Sequence, residues 1–101
     1  MAIIFHVTTR AEWEQAKSEG AYKAPSLALE HFIHCSKAEQ VEGVLQRYFK
    51  GMKDLVRLTI DTGLLTSPWQ FDLAPSINEE FPHVYGPINI DAVTEVIPVV
   101  S

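Results

Sequence analysis

The chain has 101 residues, 47% of them hydrophobic and 21% charged, which is the profile of one soluble domain over residues 1–101, with no room for a second. Eight Lys and Arg stand against thirteen Asp and Glu, a net charge of -5, and the basic residues are scattered between Arg10 and Arg57. Such a field opposes long nucleic acids, whose phosphates are held by clustered Lys and Arg, and a core this small leads one to expect a shallow cleft over a deep ligand cavity.

Ile3 to Val7 is short, β-branched and aromatic, and reads as a strand ending where a helix begins. Thr9 and Glu12 make a capping-box pattern, and Gly20 offers the stop. Ala24-Pro25-Ser26 reads as a turn or extended link, because proline fixes its own φ and pushes its predecessor out of the helical region. A strand from Phe32 to Cys35 then runs into Ser36 and Glu39, a second capping box. Behind it Val41, Val44, Leu45, Tyr48 and Phe49 form one apolar stripe on a helix that Gly51 closes.

The second half reads as mainly β. Val56, Leu58 and Ile60 alternate with polar residues, as do Trp69, Phe71 and Leu73. An acidic loop is expected between Pro75 and Pro82. The stiff segment Phe81-Pro82-His83-Val84-Tyr85-Gly86-Pro87 leads into short strands around Ile88 to Ile90 and Thr94 to Val100. Helices early and strands late predict an α+β fold: a compact split or mixed β-sheet of about five to six strands with two main helices.

Cys35 is the only cysteine, so the chain forms no intramolecular disulfide, as suits a reducing compartment. The N-terminus has neither a basic n-region nor an apolar h-region, and no apolar run reaches about 18 residues. A cytoplasmic protein with no membrane anchor is the expectation.

The candidate functional residues are histidines at strand ends and in the stiff loop, His6, His34 and His83, whose imidazoles can move protons or hold an anion near neutral pH. Ser36, Tyr85 and Thr8 are the hydroxyl groups beside them. Phe32, His34 and Ser36 share the open face of their strand, while Ile33 and Cys35 face the core. The helix N-terminus after Ser36 offers N–H groups to a small anion. No metal site is expected, since His34 and Cys35 point to opposite faces and no ligand pair has helical spacing. Cys35 reads as a buried small hydrophobe and His31 as solvent-exposed.

His6-Val7-Thr8 and His34-Cys35-Ser36 also echo one another as two His-x-Thr/Ser units. Cyclic phosphodiesterases place two imidazoles around a 2′,3′-cyclic phosphate with such motifs, which is one alternative reading. Another is a non-enzymatic structural or protein-interaction domain.

Phe5-His6-Val7, Ser26-Leu27, "FIHCS" at Phe32 to Ser36, Gln40 and "FPHVYG" at Phe81 to Gly86 resemble the motifs of a small bacterial domain-of-unknown-function family, number 952 in its series. The resemblance implies an ADP-ribosyltransferase-like fold with NAD or a related nucleotide in the cleft where the sheet halves diverge. It implies that His6 meets the nicotinamide-side ribose and that the His34 to Ser36 segment supplies a second contact. Where that superfamily has a late-strand Glu, this chain offers His83 and Tyr85, with Glu79 and Glu80 nearby. An imidazolium opposes the positive sugar of nicotinamide cleavage. The residues therefore favour a nucleotide-like, phosphate- or ribose-bearing small molecule as ligand.

Overall fold

The computed structural model describes residues 2–99. Strand β1 (Ile3–Thr9) passes directly into helix α1 (Arg10–Glu19). Thr9 caps that helix by accepting the N–H of Glu12, and Gly20, at φ +88°, closes it by donating to the Ala16 carbonyl, a left-handed position that suits glycine. Both ends agree with the capping signals in the sequence.

Strand β2 (Ala21–Tyr22) is followed by a helix where a turn or extended link is expected: α2 (Pro25–Glu30). Pro25 occupies the first helical turn, where its missing N–H costs no bond. Strand β3 (Ile33–His34), a 3-10 turn (Ala38–Gln40) and α3 (Val41–Tyr48) come next. Here Ser36 does not cap. Its N–H pairs with the Phe5 carbonyl at 2.7 Å, and the next N–H, of Lys37, goes to Gln40 Oε1 at 2.9 Å. A 3-10 turn thus stands between Ser36 and α3, and the Ser36 and Lys37 N–H groups are not available to an anion. The helix also ends at Tyr48, and Gly51 lies beyond it at φ +81°.

The remaining strands are β4 (Leu55–Asp61), β5 (Trp69–Ala74), β6 (Glu79–Val84), β7 (Ile88–Asn89) and β8 (Val93–Pro98). The fold is α+β. Among the described residues it has eight strands and three α-helices, where five to six strands and two main helices are expected: the additional elements are β2, whose two residues carry no periodic signal, β6, where a loop is expected, and α2. The expected acidic loop is a hairpin: β5 pairs with β6 from Trp69↔Val84 to Ala74↔Glu79, with Asn78 turning the chain at φ +53°. Glu79, Glu80 and His83 therefore stand on a strand. The C-terminal strand ends at Pro98, and Val100, expected in it, lies outside the described residues.

The strands form three sheets, β1-β4-β8, β2-β7 and β3-β6-β5. Every pairing is antiparallel, so no mixed sheet is present among the described residues. The two three-stranded sheets are tied by a reciprocal backbone bridge between Phe5 and Ser36, at 2.8 and 2.7 Å. Ile4, Val56, Leu58 and Ile60 from the first sheet, Ile33 and Val84 from the third and Ile88 from the second are fully buried in one cluster, joined by Trp13 and Tyr22. Each such aliphatic side chain contributes about 1.5–3 kcal/mol by burial. No helix among the described residues is long and apolar enough to cross a membrane.

Candidate functional site

A cleft of about 520 Å³ opens between the Phe5–Ser36 seam, the end of α3 and the β5–β6 hairpin. That volume falls in the range of small-molecule sites, roughly 300–1,000 Å³, so the expected shallow cleft is in fact roomy. The reason lies in α3, none of whose residues is buried: its apolar stripe turns Val44 and Tyr48 towards the cleft. Apolar groups come from α3, its C-terminal extension and the hairpin (Phe49, Met52, Leu73, Ile77, Phe81), and polar ones from β1 (His6, Thr8), α1 (Glu12), β2 (Tyr22) and the β3 segment (His34, Ser36). Among the described lining residues there is no Lys or Arg.

His83, on β6, lines the cleft and lies opposite His34 of β3 in direct register. The two rings meet edge to face at 5.1 Å, and Phe32 stacks on His83 at 4.1 Å and 18°. His83 Nδ1–H donates to Asp72 Oδ2 at 2.7 Å. This fixes the tautomer and leaves Nε2 with no hydrogen-bond partner among the described residues. Burial pushes the imidazole pKa down, and the Asp72 hydrogen bond acts against that shift. Asp72 also accepts from the Tyr85 hydroxyl and from Gln70 at 2.6 Å. These donors, Tyr85 foremost, hold its carboxyl below the usual carboxylate range. His34 is more exposed and reaches Glu30 Oε2 at 3.0 Å.

His6 is engaged on both nitrogens. Nδ1–H donates to the His34 carbonyl at 2.5 Å, and Nε2 lies 2.8 Å from the Tyr22 hydroxyl. Desolvation pushes its pKa down to about 4, so the ring is neutral near pH 7. The Tyr22 oxygen lies 3.1 Å from Thr8 Oγ1, which donates to Glu12 Oε1 at 2.8 Å. Burial raises the Tyr22 phenol to about 12.

All three candidate histidines thus line one cleft, together with Thr8 and Ser36. Freed from capping, the Ser36 hydroxyl has no partner among the described residues. Tyr85 is not among the lining residues and touches the site through Asp72. Cys35 is buried, and loss of solvent pushes its thiol well up, which disfavours the nucleophilic thiolate. His31 is exposed, at the end of α2. No group of three or more His, Cys, Asp and Glu among the described residues is arranged to hold a metal ion.

Sequence reasoning missed Asp72, Tyr22 and Glu12. Asp72 was legible only with β5 and β6 paired, because it meets His83 on the diagonal, two positions from its direct partner Phe81. Glu12 was seen only as a capping residue, and nothing in the sequence signals Tyr22.

These features define an α+β protein with a His-lined cleft on the seam between two antiparallel sheets. The chain belongs to the family described as "Protein of unknown function (DUF952)", matched over residues 7–96. It is similar to CC0527 from Caulobacter crescentus. The crystal structure of that protein is 27% identical with a TM-score of 0.89, covering 98% of this chain and 87% of that one. Its solution NMR structure is 30% identical with a TM-score of 0.79, covering 95% and 83%. No curated protein matches the chain.

Proposed function

We propose that the cleft binds a small nucleoside-like molecule: a flat apolar part against Phe81, Leu73 and Phe49, and hydroxyl-bearing groups at Thr8, Ser36, His34 and His83. The observation that carries this reading is the Asp72–His83 pair at the cleft wall. The carboxylate fixes Nδ1–H and leaves Nε2 unengaged, so the imidazole can accept a ligand hydroxyl or take up its proton. The described lining residues supply imidazoles, hydroxyls and the Glu12 carboxylate but neither Lys nor Arg, which favours a neutral or singly charged ligand over a pyrophosphate.

The ADP-ribosyltransferase-like reading of the fold adds NAD and ADP-ribose to the ligands worth testing. A two-histidine phosphodiesterase would need a free nitrogen on His6, and both are engaged, so acid–base chemistry is better assigned to His83 with His34 beside it.

The test is a titration of adenosine, ADP-ribose and NAD followed by imidazole ¹H–¹⁵N NMR. Joint shifts of His34 and His83 with adenosine, weakened in Ser36→Ala and His83→Gln, support the reading. No shift from any of the three up to millimolar concentration would sink it.

A further inference from the structure

The hydrogens along the chain from the His34 carbonyl through His6, Tyr22 and Thr8 to Glu12 do not add up at neutrality. The carbonyl accepts only, so Nδ1 must carry a hydrogen. With Glu12 as the carboxylate, the Thr8 hydroxyl hydrogen is committed to Oε1. The two links between them, Nε2 to the Tyr22 oxygen at 2.8 Å and that oxygen to Thr8 Oγ1 at 3.1 Å, then share the single phenol hydrogen. One more proton satisfies every link, and it can sit at either end.

At the His6 end, Nε2–H donates to the Tyr22 oxygen, Tyr22 O–H to Thr8 and Thr8 O–H to the Glu12 carboxylate. At the Glu12 end, the carboxylic O–H donates to Thr8, Thr8 O–H to Tyr22 and Tyr22 O–H to neutral His6. Three O–H or N–H bonds break and three form between the two arrangements, with no change in total charge.

We propose that Glu12, Thr8, Tyr22 and His6 form a relay along the cleft wall that stores one shared proton, with His6 and Glu12 as its two ends. A second geometric feature supports this. Glu12 and Tyr22, which line the cleft together with His6 and Thr8, also border a second depression of about 290 Å³ beside α1, so the relay is open to ligand or water from two depressions. The titratable neighbours are His34 on β3 and Cys35 just after it, Glu30 paired with His34 on α2, and His83 across on β6. Glu19 of α1 and Lys23 line the second depression, and Tyr48 lines the cleft. The use of this proton rests on the cleft being a ligand site, but its storage does not, so the test needs no ligand.

The experiment follows the His6 ring ¹⁵N and Glu12 carboxyl ¹³C shifts of the whole chain from pH 8 to pH 2.5. Shared storage gives two steps at both nuclei, each of partial amplitude, because the titrations belong to the pair. Tyr22→Phe and Glu12→Gln then leave His6 titrating in a single full-amplitude step, whereas Thr8→Ser, which keeps a hydroxyl, retains the two-step curve. Amide dispersion at pH 7 checks that each variant is folded, and any one folded breaking variant suffices. Single full-amplitude steps for His6 and Glu12 in the wild-type chain, unchanged in the breaking variants, would overturn the proposal.

Discussion

Asp72 and His83 stand on neighbouring strands two positions out of direct register, and Oδ2 of the carboxylate lies 2.7 Å from Nδ1 of the imidazole. The acid faces a donor on each of three sides, so its charge is settled and its direction fixed. Asp72→Asn removes the charge that opposes the downward push of burial on His83. The His83 midpoint then falls further, and the ring loses its preference for a proton on Nδ1, both measurable by imidazole ¹⁵N NMR.

The half-buried neutral His6 makes stability depend on pH. Its midpoint is about 4 in the folded chain against 6.5 when exposed, so between those values the unfolded chain binds the extra proton. Stability is complete above pH 6.5 and declines as the pH falls towards 4, by about 3 kcal/mol. His83, also lowered, acts in the same direction. Urea unfolding at pH 7 and pH 4.5 should show this loss, and His6→Asn should flatten most of it.

Gln40 is buried and joins three places: Oε1 accepts the Lys37 N–H at 2.9 Å, and Nε2 donates to the Glu80 carbonyl at 2.8 Å and to Glu79 at 3.2 Å. Gln40→Leu keeps the volume and breaks all three links. A cost of about 1–3 kcal/mol in chemical denaturation is expected, with amide exchange accelerated at the start of α3 and along β6.

Gly86 leaves no room for a side chain. A Cβ there would lie 2.9 Å from Ser67 Cβ and closer still to the Ser67 hydroxyl, which is held by the Pro87 carbonyl at 2.7 Å. Gly86→Ala should cost about 1–3 kcal/mol from overpacking. Adding Ser67→Gly should recover part of that, read as the shift of the urea midpoint.

How much of this was readable in advance depended on which elements carry a local signal. Helix α1 announces both its ends, through Thr9 and Gly20. Helix α2 was hidden because Pro25 is a helix breaker everywhere except the first turn, where it sits. Strand β6 was hidden by Pro82, which is unusual in a central strand. The Cys35 N–H donates to the Pro82 carbonyl, so the donor that proline lacks would have pointed towards the short β3 and not into the ladder with β5. The histidines were legible as candidates from their places at strand ends. Their partners were not, since Asp72, Tyr22 and Glu12 come from three other elements that only the tertiary fold brings to them.

The paired hydrogen bonds between Phe5 and Ser36 act as a hinge pin for the cleft. They anchor β1 to β3 at the His-bearing wall, so a guest molecule cannot gain entry by prising the sheets apart there without breaking two backbone bonds at once. The opposite wall has no such pin: it is built from the unburied stripe of α3, Met52 and the hairpin tip around Ile77, with Tyr48, Met52, Leu73 and Ile77 all exposed. The two walls of the cleft are thus held differently: the polar one by backbone hydrogen bonds between strands, the apolar one by side-chain packing.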